Sequence, residues 1–164
     1  MAKRTKRTAK GERATEVILA AFRANGALNA AGDELAAEYD LTSARWQVLG
    51  AVAMAGRPLT VPQIARRMGL TRQSVHTTVQ RLVADGIVEL AANAEHRRSQ
   101  LVRLTELGQT KWEAIDAKQA GWVNELVDGM SLTDLETTAH VLEQFSSRLE
   151  AARAHSHDQQ GDDS

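Results

Sequence analysis

The sequence predicts a mainly α-helical chain with one small β element of two to three strands. Apolar residues recur at three- and four-residue spacing through most of its length, helix formers are abundant, and the only prolines are Pro58 and Pro62. Between Ile87 and Leu104 the pattern changes to two short β-type runs flanking a polar stretch. A length of 164 residues, 43% hydrophobic and 25% charged, suits one soluble domain, or one domain plus an oligomerisation element.

Composition excludes several classes of function. There is no cysteine, which removes disulfides, thiol redox sensing and Cys-ligated metals. No apolar run approaches ~18 residues, and no signal-peptide core follows the basic start, so a cytoplasmic protein without a membrane partner is expected. Charge is unevenly distributed. Residues 57–104 carry 8 Lys/Arg against 3 Asp/Glu, whereas residues 105–164 carry 4 against 12. A basic middle and an acidic last third fit a chain whose centre binds a polyanion.

Residues 1–12, with Lys3, Arg4, Lys6, Arg7 and Lys10, lack apolar periodicity and are expected to form a disordered basic arm. Residues 13–40 read as an Ala-rich helix in which Gly26 and Gly32 mark a bend or a close packing contact. Thr42 caps the next helix, to about Ala55, with Trp46, Leu49, Val52 and Ala53 as its inward stripe. Thr60 and Gln63 then form a capping box ahead of a short helix with Val61, Ile64, Ala65 and Met68 inward, closed by Gly69.

Another helix starts at once, LTRQSVHTTVQRLVAD (70–85), with Thr71 as N-cap and Leu70 placed to close over Val75. At ~100° per residue Val75, Val79, Leu82 and Val83 share one side. Gln73, Thr77 and Gln80 share the other side, with Ser74 and Arg81 along one flank and His76 along the other. Amides, hydroxyls and Arg are the groups that read base edges in a major groove. Alone, this helix fits a solvated surface equally well. The tight turn before it makes a helix-turn-helix, and the basic block around it favours DNA. Gln73, Ser74, Thr77 and Gln80 are the candidates for base edges, with His76 as a possible addition. Arg72, Arg81 and Thr71 are the candidates for phosphates, and Ser74 could also bind a phosphate through its hydroxyl.

Ile87–Leu90 and Leu101–Leu104 pair as a hairpin, or wing, whose tip presents His96, Arg97 and Arg98 to a minor groove. Thr105 starts a long helix with Trp112, Ile115, Gln119, Trp122 and Leu126 at seam spacing. After a break at Gly129, Ser131 starts a second helix in which Leu132, Leu135, Ala139, Leu142 and Leu149 repeat that spacing beside Phe145. These two helices (105–153) suggest a homodimer interface formed by Trp122, Leu126, Leu135, Leu142, Phe145 and Leu149, with Val17 from the first helix. Residues 154–164 form a polar tail. Its His155, His157 and Asp158 lack a fourth ligand, so no metal or other cofactor is expected.

LTSARWQVL (41–49), LTVPQIARRMGLTRQSVHTTVQRLVADGIVEL (59–90) and RRSQLVRLTELGQ (97–109) together resemble the MarR family of bacterial winged-helix transcriptional regulators. The resemblance implies a winged helix-turn-helix over 41–104. It also implies dimerisation through N- and C-terminal helices, a pseudo-palindromic operator and often a small-molecule inducer. A ligand in this family would lie between the dimerisation helices and the winged helix, which makes Asn25, Asp33, Arg45, Trp46 and Trp112 the candidate lining residues. The family's wing usually reads Asp-x-Arg-Asp-x-Arg, whereas this chain has Asn93-Ala94-Glu95-His96-Arg97-Arg98 and keeps only the final Arg. The expected function is a homodimeric DNA-binding regulator, in the sense of a repressor. The alternative is a ligand-independent DNA-binding or architectural protein. No P-loop, H-E-x-x-H or G-x-S-x-G motif suggests an enzyme.

Overall fold

A computed structural model describes residues 6–96 and 98–161, with residues 154–161 as backbone only. The chain divides into two compact units, Met1–Gly121 and Trp122–Ser164. In order, the elements are α1 (Ala9–Ala37), α2 (Ser43–Ala53), β1 (Leu59–Thr60), α3 (Val61–Met68), α4 (Arg72–Ala84), β2 (Val88–Ala91), β3 (Leu101–Leu104), α5 (Glu106–Leu126) and α6 (Leu132–Gly161). The sheet order is β1-β3-β2, antiparallel throughout.

Capping chemistry sets most of these boundaries. The Thr42 hydroxyl accepts from Arg45 N at 3.3 Å, and Thr60 and Gln63 complete the reciprocal capping box. Gly69, at φ 63°, lets Leu70 N reach back to Ala65 O at 2.9 Å, which ends α3 and frees the chain to restart at Thr71. The same device ends α4. There Gly86 takes φ 68° and Ile87 N donates to Leu82 O at 2.9 Å.

The core of the first unit is one cluster drawn from α2, α3, α4 and the sheet. Leu49, Leu59, Ile64, Val75, Val79, Leu82, Val88 and Val102 are all buried in it. Val75, Val79 and Leu82 are 0% exposed and Val83 is partly buried beside them, so the inner side of α4 is used in packing. Ile115 brings α5 into the same core. Where α5 begins, Thr105 N donates to Ile87 O at 3.2 Å, and the Thr105 hydroxyl accepts from Gly108 N at 3.1 Å. A Cβ at Gly108 would lie 2.1 Å from Ile87 O, so only glycine fits that contact.

Several expectations need correction. The first helix starts at Ala9 rather than Arg13, because the Thr8 hydroxyl accepts from Gly11 N at 3.1 Å and caps it inside the basic run. The expected arm over 1–12 is thus helical from Ala9, and residues 1–5 lie outside the described residues. The last helix continues past 153 to Gly161, so the expected polar tail is mostly helical backbone; residues 162–164 lie outside the described residues. The side chains of His155, His157 and Asp158 are likewise not described. In α2, Val48 and Ala51 are buried along with Leu49 and Val52, because α1, α3, α4 and β3 all pack on this helix. Trp46 and Ala53 are only partly covered. Leu70, expected over Val75, is left 37% exposed. Gly26 meets open space, whereas a Cβ at Gly32 would lie 2.7 Å from Ser43 Oγ, so Gly32 marks the close packing of α1 on α2.

Candidate nucleic-acid interface

Every residue of the α4 helix expected to contact DNA is exposed, namely Thr71, Arg72, Gln73, Ser74, His76, Thr77, Gln80 and Arg81. Their hydrogen bonding divides them into two kinds. Hydroxyl protons are used locally, since Ser74 Oγ donates to Thr71 O at 2.9 Å and Thr77 Oγ1 to Gln73 O at 3.1 Å. These hydroxyls therefore face solvent mainly as acceptors. The side chains of Arg72, Gln73, His76, Gln80 and Arg81 make no hydrogen bond or ion pair among the described residues. Side chains three or four residues apart on a helix can pair, and these do not. Here they are left available to a partner.

The hairpin stands beside this face. Leu90 pairs with Val102, and Glu89 lies directly opposite Arg103 with a 2.7 Å ion pair between them. At the tip the Asn93 side-chain oxygen accepts from Glu95 N at 3.1 Å and His96 N at 3.3 Å. This Asx turn holds the loop where the sequence lacks the family's Asp–Arg pattern. His96 and Arg98 are exposed, and Arg97 lies outside the described residues. A recess of about 280 Å³ brings His76 and Gln80 of α4 together with Arg98, Ser99 and Gln100 of the hairpin and Pro62 of α3. A second, of about 640 Å³, sets Arg57, Gln63 and Arg66 against Asn93 and His96. Arg57 and Arg66 were missed as individual residues, although the basic excess of 57–104 already contained them.

The orientation of α4 is fixed from behind. Arg45 forms an ion pair with Asp85, the C-cap of α4, and its Nη1 donates to Asp40 O at 3.2 Å. A carboxylate at a helix C-terminus opposes the helix dipole, and the Arg45 guanidinium offsets that. The Arg45 Nε is buried and has no partner among the described residues.

The five candidate ligand residues do not form one group. Trp46 and Trp112 line a cavity of about 470 Å³ with Gln47, Gly50, Met54, Met68, Asp116 and Gln119. Asn25, Asp33 and Arg45 do not line it. Asn25 is exposed on α1, Asp33 Oδ1 accepts from Ser43 N at 2.6 Å and so caps α2, and Arg45 is committed to Asp85. Gln47 is the link the sequence did not reveal. It lines the cavity, and its Nε2 donates to Asn29 Oδ1 of α1 at 2.9 Å. Gly50 shapes the wall, because a Cβ there would meet the Trp112 ring at 2.8 Å.

Dimer candidates fall on exposed apolar surface. Val17, Leu126, Leu135, Leu142 and Leu149 are all at least a third exposed, as are Ile18, Leu19, Leu28 and, at 70%, Phe22. Trp122 and Phe145 are partly covered. No helix among the described residues is long and apolar enough to cross a membrane, and none of them form a cluster of three His, Cys, Asp or Glu fit for a metal ion.

A sequence model of the MarR family matches residues 39–99, which span the turn into α2, the helix-turn-helix and most of the wing. The chain belongs to the MarR family. It is a DNA-binding transcriptional regulator with the winged-helix fold. An uncharacterized protein of Mycobacterium tuberculosis is 39% identical over 132 residues, covering 80% of this chain and 91% of that protein. The transcriptional activatory protein BadR of Rhodopseudomonas palustris is 28% identical over 137 residues, covering 82% and 78%. Among solved structures, CouR from Rhodococcus jostii RHA1 bound to p-coumaroyl-CoA shares the fold with a TM-score of 0.69 at 19% identity, covering 76% of this chain and 87% of that one.

Proposed function

We propose that this MarR-family chain binds a pseudo-palindromic operator as a homodimer, with two copies of α4 in successive major grooves about one turn (~34 Å) apart. One observation carries this reading. Val75, Val79 and Leu82 on the inner side of α4 are fully buried while its outer side offers Gln73, Thr77 and Gln80 next to a cationic hairpin. Gln73, Ser74, Thr77 and Gln80, with His76, read base edges. Arg72, Arg81 and the Thr71 hydroxyl hold phosphates, joined by Arg57 and Arg66 on the hairpin side. His96, Arg97 and Arg98 of the wing approach the minor groove. Dimerisation uses the exposed apolar residues of α1 and of the C-terminal helices, so residues 41–104 form the DNA-binding part and 105–153 the C-terminal dimerisation part.

The cavity at Trp46 and Trp112 is the effector site. Its volume lies within the ~300–1,000 Å³ of small-molecule sites, and the structure of CouR bound to p-coumaroyl-CoA supports an effector in this fold. An effector acts by binding one spacing of the recognition helices better than the DNA-competent spacing. Repression follows from occupancy of promoter DNA. The name of BadR favours activation as a second reading, and a reporter behind the bound promoter decides the sign. The test of the whole is an electrophoretic shift on the chain's own upstream DNA. A shift resistant to random duplex is expected, and a shift abolished by equal random duplex refutes operator recognition.

A further inference from the structure

Resting on the reading of the Trp46–Trp112 cavity as an effector site, we propose that this cavity selects planar aromatic cations and disfavours aromatic carboxylates. Trp46 of α2 and Trp112 of α5 supply aromatic lining, and Met54 and Met68 supply polarizable thioethers that adapt to a flat guest. Asp116 is the only charged group among the described residues that line the cavity, and its carboxylate makes no hydrogen bond or ion pair among them.

Three cations of α2 and α5 are committed elsewhere. Lys111 Nζ, on the same helix, donates to Tyr39 O at 2.6 Å, and Lys118 Nζ pairs with Glu38 at 2.6 Å. Arg45 pairs with Asp85. An organic cation seated against Trp46 and Trp112 therefore meets aromatic surface and an unpaired carboxylate, each attractive to positive charge. A carboxylate guest meets the same carboxylate and has no lining cation to pair with. Discrimination then comes from repulsion as much as from attraction. Gln47 and Gln119 supply amides for a neutral heteroatom of the guest, and Gln47 also contacts Asn29, which connects the guest to α1.

The test is isothermal titration of the full chain with two flat bicyclic probes, N-methylquinolinium and 2-naphthoate. The cation is expected to bind about fivefold or more tightly than the anion, the scale of one partly exposed ion pair. Asp116→Asn should lower cation affinity about fivefold without weakening the anion. Because Asp116 is exposed and unpaired, this variant should melt with the wild type. Equal or tighter binding of 2-naphthoate, a preference unchanged in Asp116→Asn, or no binding of either probe overturns the proposal. Operator release is scored separately. Cation binding that depends on Asp116 but leaves operator DNA bound supports the charge selectivity and refutes only the effector role.

Discussion

Leu82 on α4 and Leu142 on α6 both belong to regular apolar stripes, yet Leu82 is 0% exposed and Leu142 is 38% exposed. The core of the winged-helix region is closed within the first unit, with Ala36 of α1 and Ile115 of α5 joining it. Each apolar residue of the α4 stripe meets α2, α3 or the sheet, so the opposite polar side is free to face DNA. The long helices α1 and α6 instead keep Phe22, Leu28, Leu132 and Leu149 outside. Apolar spacing therefore has two meanings here. Where neighbours in the same chain answer it, it fixes an orientation. Where they do not, it leaves apolar surface exposed, and that surface is what the proposed dimer would cover.

The sharpest way to break this contrast is to charge the uncovered stripe. Leu135→Asp with Leu142→Asp is expected to give monomers by analytical ultracentrifugation while circular dichroism keeps the helical signal. Operator affinity should fall about 10²- to 10⁴-fold, since two linked half-site contacts become one. A variant that stays dimeric would show that these residues serve another surface. Leu82→Ala tests the closed side. Removing a fully buried Leu should cost ~2–5 kcal/mol in urea unfolding, whereas Leu149→Ala, at an exposed site, should cost far less in the monomeric background.

Smaller effects test how α4 is held. Thr60→Ala removes half of a capping box and should cost ~0.5–2 kcal/mol of stability without changing which base pairs are read. Glu89→Gln, at a pair with about half of each side chain exposed, should cost under ~1 kcal/mol, measured by the same unfolding transition.

Much of this was legible in the sequence because its causes are local. Thr42, the Thr60–Gln63 box, Gly69 and Thr71 cap helices through bonds spanning three to five residues, and the stripe of α4 repeats within one helix. What was missed depends on distant partners. Two-residue β1 exists only because Leu59 and Thr60 pair with Val102 and Leu101. Gly108 matters only because Ile87 O lies against it, and α2 is covered on several sides by elements from both directions in sequence. The same limit separated the candidate ligand residues. Trp46 of α2 and Trp112 of α5 line one cavity, while Asp33 and Arg45 are engaged by Ser43 and Asp85. Thr8 was a different case, a local cap hidden by the basic residues around it.

Base reading by α4 is tested most directly by measuring wild type, Gln80→Ala and Arg81→Ala on operator and random duplex across a salt series. Gln80→Ala should lose ~1–3 kcal/mol of discrimination at one operator position and keep its affinity for random duplex. Arg81→Ala should weaken both DNAs alike and lower the salt slope by about 1. An operator-to-random ratio that Gln80→Ala leaves unchanged, with the same result for Gln73→Ala, would contradict the account.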